Sequence, residues 1–249
     1  MTGQDTFISH LIELRQRLVR TIVAVLVVCL CLLPWSREIY GILAQPLLAS
    51  LPKGGQMIAT DVIGPFLVPL KVTLLVGFVA VLPYVLFEAW AFVAPGLYAH
   101  EKRLVLPLVV ASFLLFLLGM SFAYFLVFPV VFKFMASIAP LGVAWMTDID
   151  KYFSFVLTTF IAFGVTFEVP VVVILLVHTG LVSIEKLKEA RPYVIVGAFV
   201  VGAVFTPPDV LSQVMLAVPL WVLYEIGIIV SRFVARPADR ADDAASTKA

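Results

Sequence analysis

Long apolar blocks separated by short polar stretches run the length of this chain, and they predict helices that cross a membrane. The first block grows out of an amphipathic start. Phe7, Leu11, Leu14 and Leu18 recur at helical spacing, and Glu13 stands four residues before Arg17, where the two can pair. Residues 1–17 therefore predict a basic helix lying at the membrane interface and running into a first span over about residues 18–35. Basic residues before an apolar run also describe a secretory signal peptide. No small-x-small cleavage site follows at once, and Pro34-Trp35 suits a helix end in an aromatic belt, so the expectation is an uncleaved first span. Residues 37–51 can form a surface helix, and the chain to residue 69 is interrupted by Pro46, Pro52, Gly54-Gly55, Gly64-Pro65 and Pro69.

The pattern then predicts a second span over residues 68–92, a third over 104–128 and a fourth over 152–177, with connections at 95–103 and 129–151. Gly119, Ser121 and Ala123 are small enough for close helix packing. Residues 192–205 are apolar but only 14 long, short of the ~20 that a full crossing needs. A turn at 206–209 leads to the last apolar block, 210–233. These two helices are expected to form a short hairpin beside which the bilayer is thinned. The sum is an all-α membrane protein with six transmembrane helices within residues 18–235, the last two short, and a disordered polar tail over 236–249.

Composition agrees with this division. The chain is 62% hydrophobic and 13% charged, unlike a soluble domain of 249 residues, and it lacks the alternating strands of a barrel. The net charge of +1 gives no sign of a nucleic-acid partner. Charge position is more telling. Of 17 Lys and Arg, 12 fall on the side of the termini and 5 (Arg37, Lys53, Lys71, Lys133, Lys151) on the other. The positive-inside rule then puts both termini in the cytoplasm and requires an even number of spans, which six satisfies.

Within the fourth span lies Glu168, in the run Phe163-Gly164-Val165-Thr166-Phe167-Glu168-Val169-Pro170. A carboxylate near the bilayer centre costs on the order of 3 kcal/mol, so it faces protein or water. Two readings stay open: a protonated structural acid, or a polar feature of a cavity or path through the membrane. Glu88 falls near a span end, where it is expected to reach water as an interfacial residue.

The sequence carries no phosphate-binding loop, zinc helix or nucleophile elbow. Cys29 and Cys31 lie two apart on one helix and point in different directions, and His10, His100 and His178 are scattered. No cofactor, metal or enzymatic activity is expected, and without a nucleotide site any work must draw on a partner or the membrane potential. Glu13 and Glu101 both fall on the cytoplasmic face beside basic residues. Local salt bridges with Arg17 and with Lys102-Arg103 would explain them. Together they would also suit a paired-arginine ligand, because carboxylates bind guanidinium groups bidentately.

Several stretches resemble one family, the TatC subunit of the twin-arginine protein translocase. They are residues 10–18 (HLIELRQRL), 94–103 (APGLYAHEKR), 163–170, 191–199 (RPYVIVGAF) and 206–213 (TPPDVLSQ), and the resemblance covers about residues 5–234. It implies a six-helix, glove-like fold with a concave face and cytoplasmic termini in the bacterial inner membrane. It implies a receptor for the twin-arginine signal peptides of folded precursors, driven by the proton-motive force. Glu13 and Glu101, with Arg15 and Phe92 nearby, match the signal-peptide site, and Glu168 matches the acid of the concavity. Pro46, Asp209 and Gln213 match positions linked to transport or to assembly with the single-span TatA and TatB partners. Thr206 and Gln213 are expected to anchor a partner helix, and self-association in a larger complex is implied. Ala99 and Glu88 depart from the basic residue and Gln of some relatives. The rival expectation is a proton-coupled small-solute transporter with Glu168 as its relay, and a remoter one an intramembrane hydrolase.

Overall fold

The computed structural model describes residues 3–49, 57–93, 105–138, 146–205 and 209–234. Ten α-helices are found among them: α1 Gly3–Leu32, α2 Ser36–Leu48, α3 Gly64–Val93, α4 Val105–Phe122, α5 Phe128–Ile138, α6 Ile149–Phe167, α7 Val169–His178, α8 Ile184–Glu189, α9 Arg191–Phe205 and α10 Val210–Val234. Among the described residues, five stretches are long and apolar enough to cross a membrane: Leu11–Pro46, Gly64–Phe92, Leu106–Ile138, Ile149–His178 and Val210–Phe233. This is a multi-pass, all-helical membrane protein. Leu14, Leu18, Val19, Ile22, Leu26 and Leu30 of α1 are exposed, as expected where lipid tails rather than protein receive apolar side chains. The expected tail, 236–249, lies outside the described residues.

Two compact units can be distinguished. One comprises Met1–Phe113 with Phe132–Leu157, the other Leu114–Val131 with Thr158–Ala249. In the first unit α1 and α2 pack on α3. α1 and α3 lie close at Gly77, where a Cβ would come within 3.3 Å of the Cys29 backbone. The ends of α3 are tied to different partners. Near its start Lys71 pairs with Asp150 at 2.7 Å, and near its end Glu88 pairs with Arg17 at 2.6 Å. Residues counted on opposite sides of the membrane thus lie at opposite ends of one helix.

Asp148 organises the start of α6. Its carboxylate accepts the Thr60 N–H at 2.9 Å and the Thr60 hydroxyl, and it also accepts the N–H groups of Asp150 at 2.9 Å and Lys151 at 3.1 Å. These four donors stabilise the charged form, the Thr60 hydroxyl most of all, and hold the carboxyl at about 2. Ile58 and Asp148 form a parallel β-bridge beside it. The stretch after α2 is therefore fastened to the head of α6 through backbone and side chain together.

In the second unit the α4 segment meets α6 with little space between backbones. A Cβ on Gly119 would stand 2.5 Å from the Phe163 carbonyl oxygen, and one on Gly164 would enter the Phe116 ring. Phe122 packs against Phe163 and Phe167, and Phe128 packs edge-on against Phe160. Further along, α10 lies on α7, with Gly227 close to Pro170 and Val173, and it also contacts α8 and α9. Val173, Val177, Ile184, Leu187, Tyr224 and Ile228 form the buried centre of that group.

Two expectations from the sequence need correction. Residues 129–151 do not all form a connection, because the third long helix continues through Pro129 to Ile138. A π-helical turn at Ala123–Val127 precedes the proline, and the Phe128 N–H bonds back to the Ala123 carbonyl. That wider turn sits where a residue without an N–H would otherwise interrupt an α-helical ladder. The last two helices also differ from the expected short pair: α9 has 15 residues, but α10 has 25. Pro219 lies within α10 without ending it, since neighbouring groups in a helical membrane protein can satisfy the carbonyl that a proline leaves.

Candidate functional site

A shared guanidinium marks one end of the first unit. Glu13 and Arg17 are one turn apart on α1. Arg17 donates to Glu13 Oε1 from Nε at 3.0 Å and from Nη2 at 2.7 Å, while Nη1 donates to Glu88 Oε2 at 2.6 Å. Tyr84, one turn before Glu88 on α3, donates its hydroxyl to Glu88 Oε1 at 2.9 Å. The two halves of this arrangement are unequal. The Glu88 side chain is only 8% exposed and that of Glu13 is 39% exposed. An exposed pair contributes about 0–1 kcal/mol, whereas removing one partner of a buried pair costs about 3–5 kcal/mol. Arg17 thus makes more hydrogen bonds to Glu13, but Glu88 is the acid that would be left buried and unpaired without it.

Glu88 is a further correction, since it was expected to reach water and is buried instead. Gly77, Tyr84 and Glu88 follow one another at spacings of seven and four, which puts them on a single stripe of α3. The glycine lets α1 lie against that stripe, and Glu88 near its end is buried although Tyr84 between them is exposed. That spacing was readable in the sequence; the helix covering it was not. Arg17, seen from the sequence only as the local partner of Glu13, and Tyr84 complete the arrangement.

Among the other expected signal-site residues, Phe92 is half-buried one turn beyond Glu88 on the same stripe. Arg15 is exposed and, two residues from both Glu13 and Arg17, projects from another side of α1. Glu101 lies outside the described residues. Pro46 is buried within α2, and three residues earlier the Leu43 carbonyl accepts the Tyr152 hydroxyl at 2.8 Å.

Glu168 occupies a break between helices in the second unit. α6 ends at Phe167 and α7 begins at Val169, so the expected fourth span is two helical pieces meeting at the acid. Pro170 removes one N–H from the ladder, and the Glu168 N–H bonds to the Val165 carbonyl three residues back. Glu168 itself is half-buried, with Phe167 before it and Pro170 after it buried. Asp209 caps α10: Ser212 donates its N–H to Oδ1 at 2.7 Å, and Gln213 donates to the Asp209 carbonyl at 3.2 Å. Gln213 is half-buried where its backbone faces Gly202 of α9, and Thr206 lies outside the described residues. Arg191 at the head of α9 pairs with Glu225 of α10 at 2.7 Å. Among the described residues no three of His, Cys, Asp and Glu gather as a metal ion would require.

The family model of the Sec-independent protein translocase protein (TatC) matches residues 9–219. The chain belongs to the TatC family. TatC of Escherichia coli (strain K12) is 54% identical over 235 residues, covering 94% of this chain and 91% of the relative. TatC of Azotobacter chroococcum mcd 1 is also 54% identical, over 239 residues, covering 96% and 92%. A crystal structure described as the twin arginine translocase receptor TatC superposes with a TM-score of 0.81 at 40% identity. It covers 91% of this chain and 100% of the other. TatC is a protein-translocase component and its family is not an enzyme family, so the small-solute transporter and the hydrolase give way to a subunit of protein transport.

Proposed function

We propose that this chain is the receptor subunit of a twin-arginine translocase and binds the paired arginines of signal peptides on folded precursors. The observation that carries the reading is the guanidinium between Glu13 and Glu88: this surface already binds the group that such a peptide presents. Glu13 is the acid with exposure to spare, and its carboxylate can accept two N–H donors from a peptide arginine. Glu101 is the second carboxylate of the receptor, with Arg15 and Phe92 at its margin.

The reading places the chain in a bacterial inner membrane with six crossings in a concave arrangement and both termini in the cytoplasm. Five crossings correspond to the long apolar helices and the sixth to α9. At about 1.5 Å per residue, the 15 residues of α9 reach less than the ~30 Å hydrocarbon core, and local thinning makes up the difference. Single-span TatA and TatB helices gather at the α9–α10 hairpin, with Thr206 and Gln213 as polar anchors. Glu168 supplies a polar group inside the membrane, and the proton-motive force supplies the energy.

Photocrosslinking from positions flanking Glu13 and Glu101 to a signal peptide tests the receptor reading. Crosslinks are expected with an Arg-Arg peptide and are expected to fade with Lys-Lys and with Glu101→Ala. Crosslinks indifferent to both changes would overturn it.

A further inference from the structure

We infer that Arg17 is an internal stand-in for the incoming signal arginine, and that Glu88 retains it when the exchange takes place. The inference rests on the receptor reading above and adds to it a competitor built into the receptor. Arg17 presents to Glu13 the same planar fork that a peptide arginine would present, through Nε and Nη2. Both groups therefore seek one carboxylate, and Arg17 is already there.

The unequal exposure of the two acids sets the direction of exchange. When a peptide guanidinium takes Glu13, two N–H donors of Arg17 leave Glu13 Oε1. The Nη1 donor stays on Glu88 Oε2, and the Tyr84 hydroxyl stays on Oε1. Glu88, buried by α1, keeps its cation throughout, so the exchange exposes no unpaired buried charge. The exposed half of the arrangement is given up and the buried half is kept.

Competition of this kind has a particular signature. An occupant that must leave before any peptide binds lowers the apparent affinity of all peptides by one factor, the fraction of receptor left open. It does not alter the ratio between them. A residue that shaped the site would change the ratio.

The test measures binding of synthetic signal peptides to the full chain in phospholipid nanodiscs, with Arg-Arg and Lys-Lys peptides side by side. The decisive variant is Arg17→Gln with Glu88→Gln. It removes one positive and one negative charge together, so local net charge is unchanged and electrostatic attraction cannot account for a gain. Both peptides are expected to bind about two- to fivefold more tightly, the range set by an exposed ion pair, with the Arg-to-Lys ratio preserved. Glu88→Gln alone removes the place to which Arg17 retreats and is expected to weaken both. Binding that is unchanged or weaker in the double variant, or a shifted ratio, would overturn the inference. Should the double variant fail to fold, Arg17→Lys supplies the same test, since an ammonium without a fork holds Glu13 less firmly. Equal tightening for both peptides is expected there, and unchanged or weaker binding would overturn it. Glu13→Gln separates the two claims. If it leaves wild-type affinity for the Arg-Arg peptide intact, the receptor reading at Glu13 fails and the exchange with it. If it abolishes binding but the double variant shows no gain, only the exchange fails.

Discussion

Arg17 on α1 and Glu88 on α3 are 71 positions apart in sequence and meet at 2.6 Å. The contact joins α1 to the last turns of α3. It also turns an acid near a helix end into a buried partner. A buried carboxylate that loses its cation has neither water nor charge to compensate it.

Arg17→Ala is accordingly expected to cost about 3 kcal/mol of stability. Arg17→Ala combined with Glu88→Gln is expected to recover most of that loss, because the amide carries no charge to strand and can still bond Tyr84. Equilibrium unfolding in detergent compares the two. A double variant no more stable than the single would contradict the assignment of Glu88 as the buried half of the pair.

The Asp148 carboxyl gives a pH dependence of known sign. Its value falls from the ordinary 3.8 to about 2 in the folded chain, first because of the Thr60 hydroxyl and then the backbone donors. A depressed folded value means that the contribution is complete above pH about 4 and is lost as the pH falls through about 2. Hydrogen exchange of the Thr60 and Asp150 amides, corrected for intrinsic rates, is expected to show protection declining over that window. Asp148→Asn is expected to remove the dependence and lower protection at neutral pH.

Glycine positions separate close packing from open surface. Gly119→Ala places a methyl 2.5 Å from a backbone carbonyl of α6, which no rotamer change can relieve, and is expected to destabilise by about 1–3 kcal/mol. Gly197→Ala meets nothing within 4 Å on α9 and is expected to be neutral or to stabilise by up to about 1 kcal/mol. Thermal unfolding of the two variants should move in different directions or by clearly different amounts.

Asp209 begins α10 as a cap, which predicts a graded response. Asp209→Ala is expected to lose about 1 kcal/mol and Asp209→Asn much less, since an amide oxygen can still accept the Ser212 N–H. If export instead fails equally with Asn and Ala while stability is kept, Asp209 acts through its charge on a partner and not through the cap.

Much of the architecture was present in the chain's own pattern. Hydrophobic blocks of sufficient length, the placement of Lys and Arg, and the shortness of the block before residue 206 are local properties. A helix in lipid must satisfy its backbone internally, so a long apolar block has few other choices. The four-residue spacing of Glu13 and Arg17 likewise announced a pairing that the structure contains. Tertiary structure decided the rest. Whether Glu88 meets water depends on α1, more than fifty residues before it, coming to lie over the Gly77 stripe. Whether Pro129 ends a helix depends on the turn before it, where the Phe128 N–H reaches the Ala123 carbonyl and the helix passes on. Apolar spacing says which segments enter the membrane; it carries no information about which helix covers a polar side chain there, and that covering fixes the partner, exposure and charge of the group.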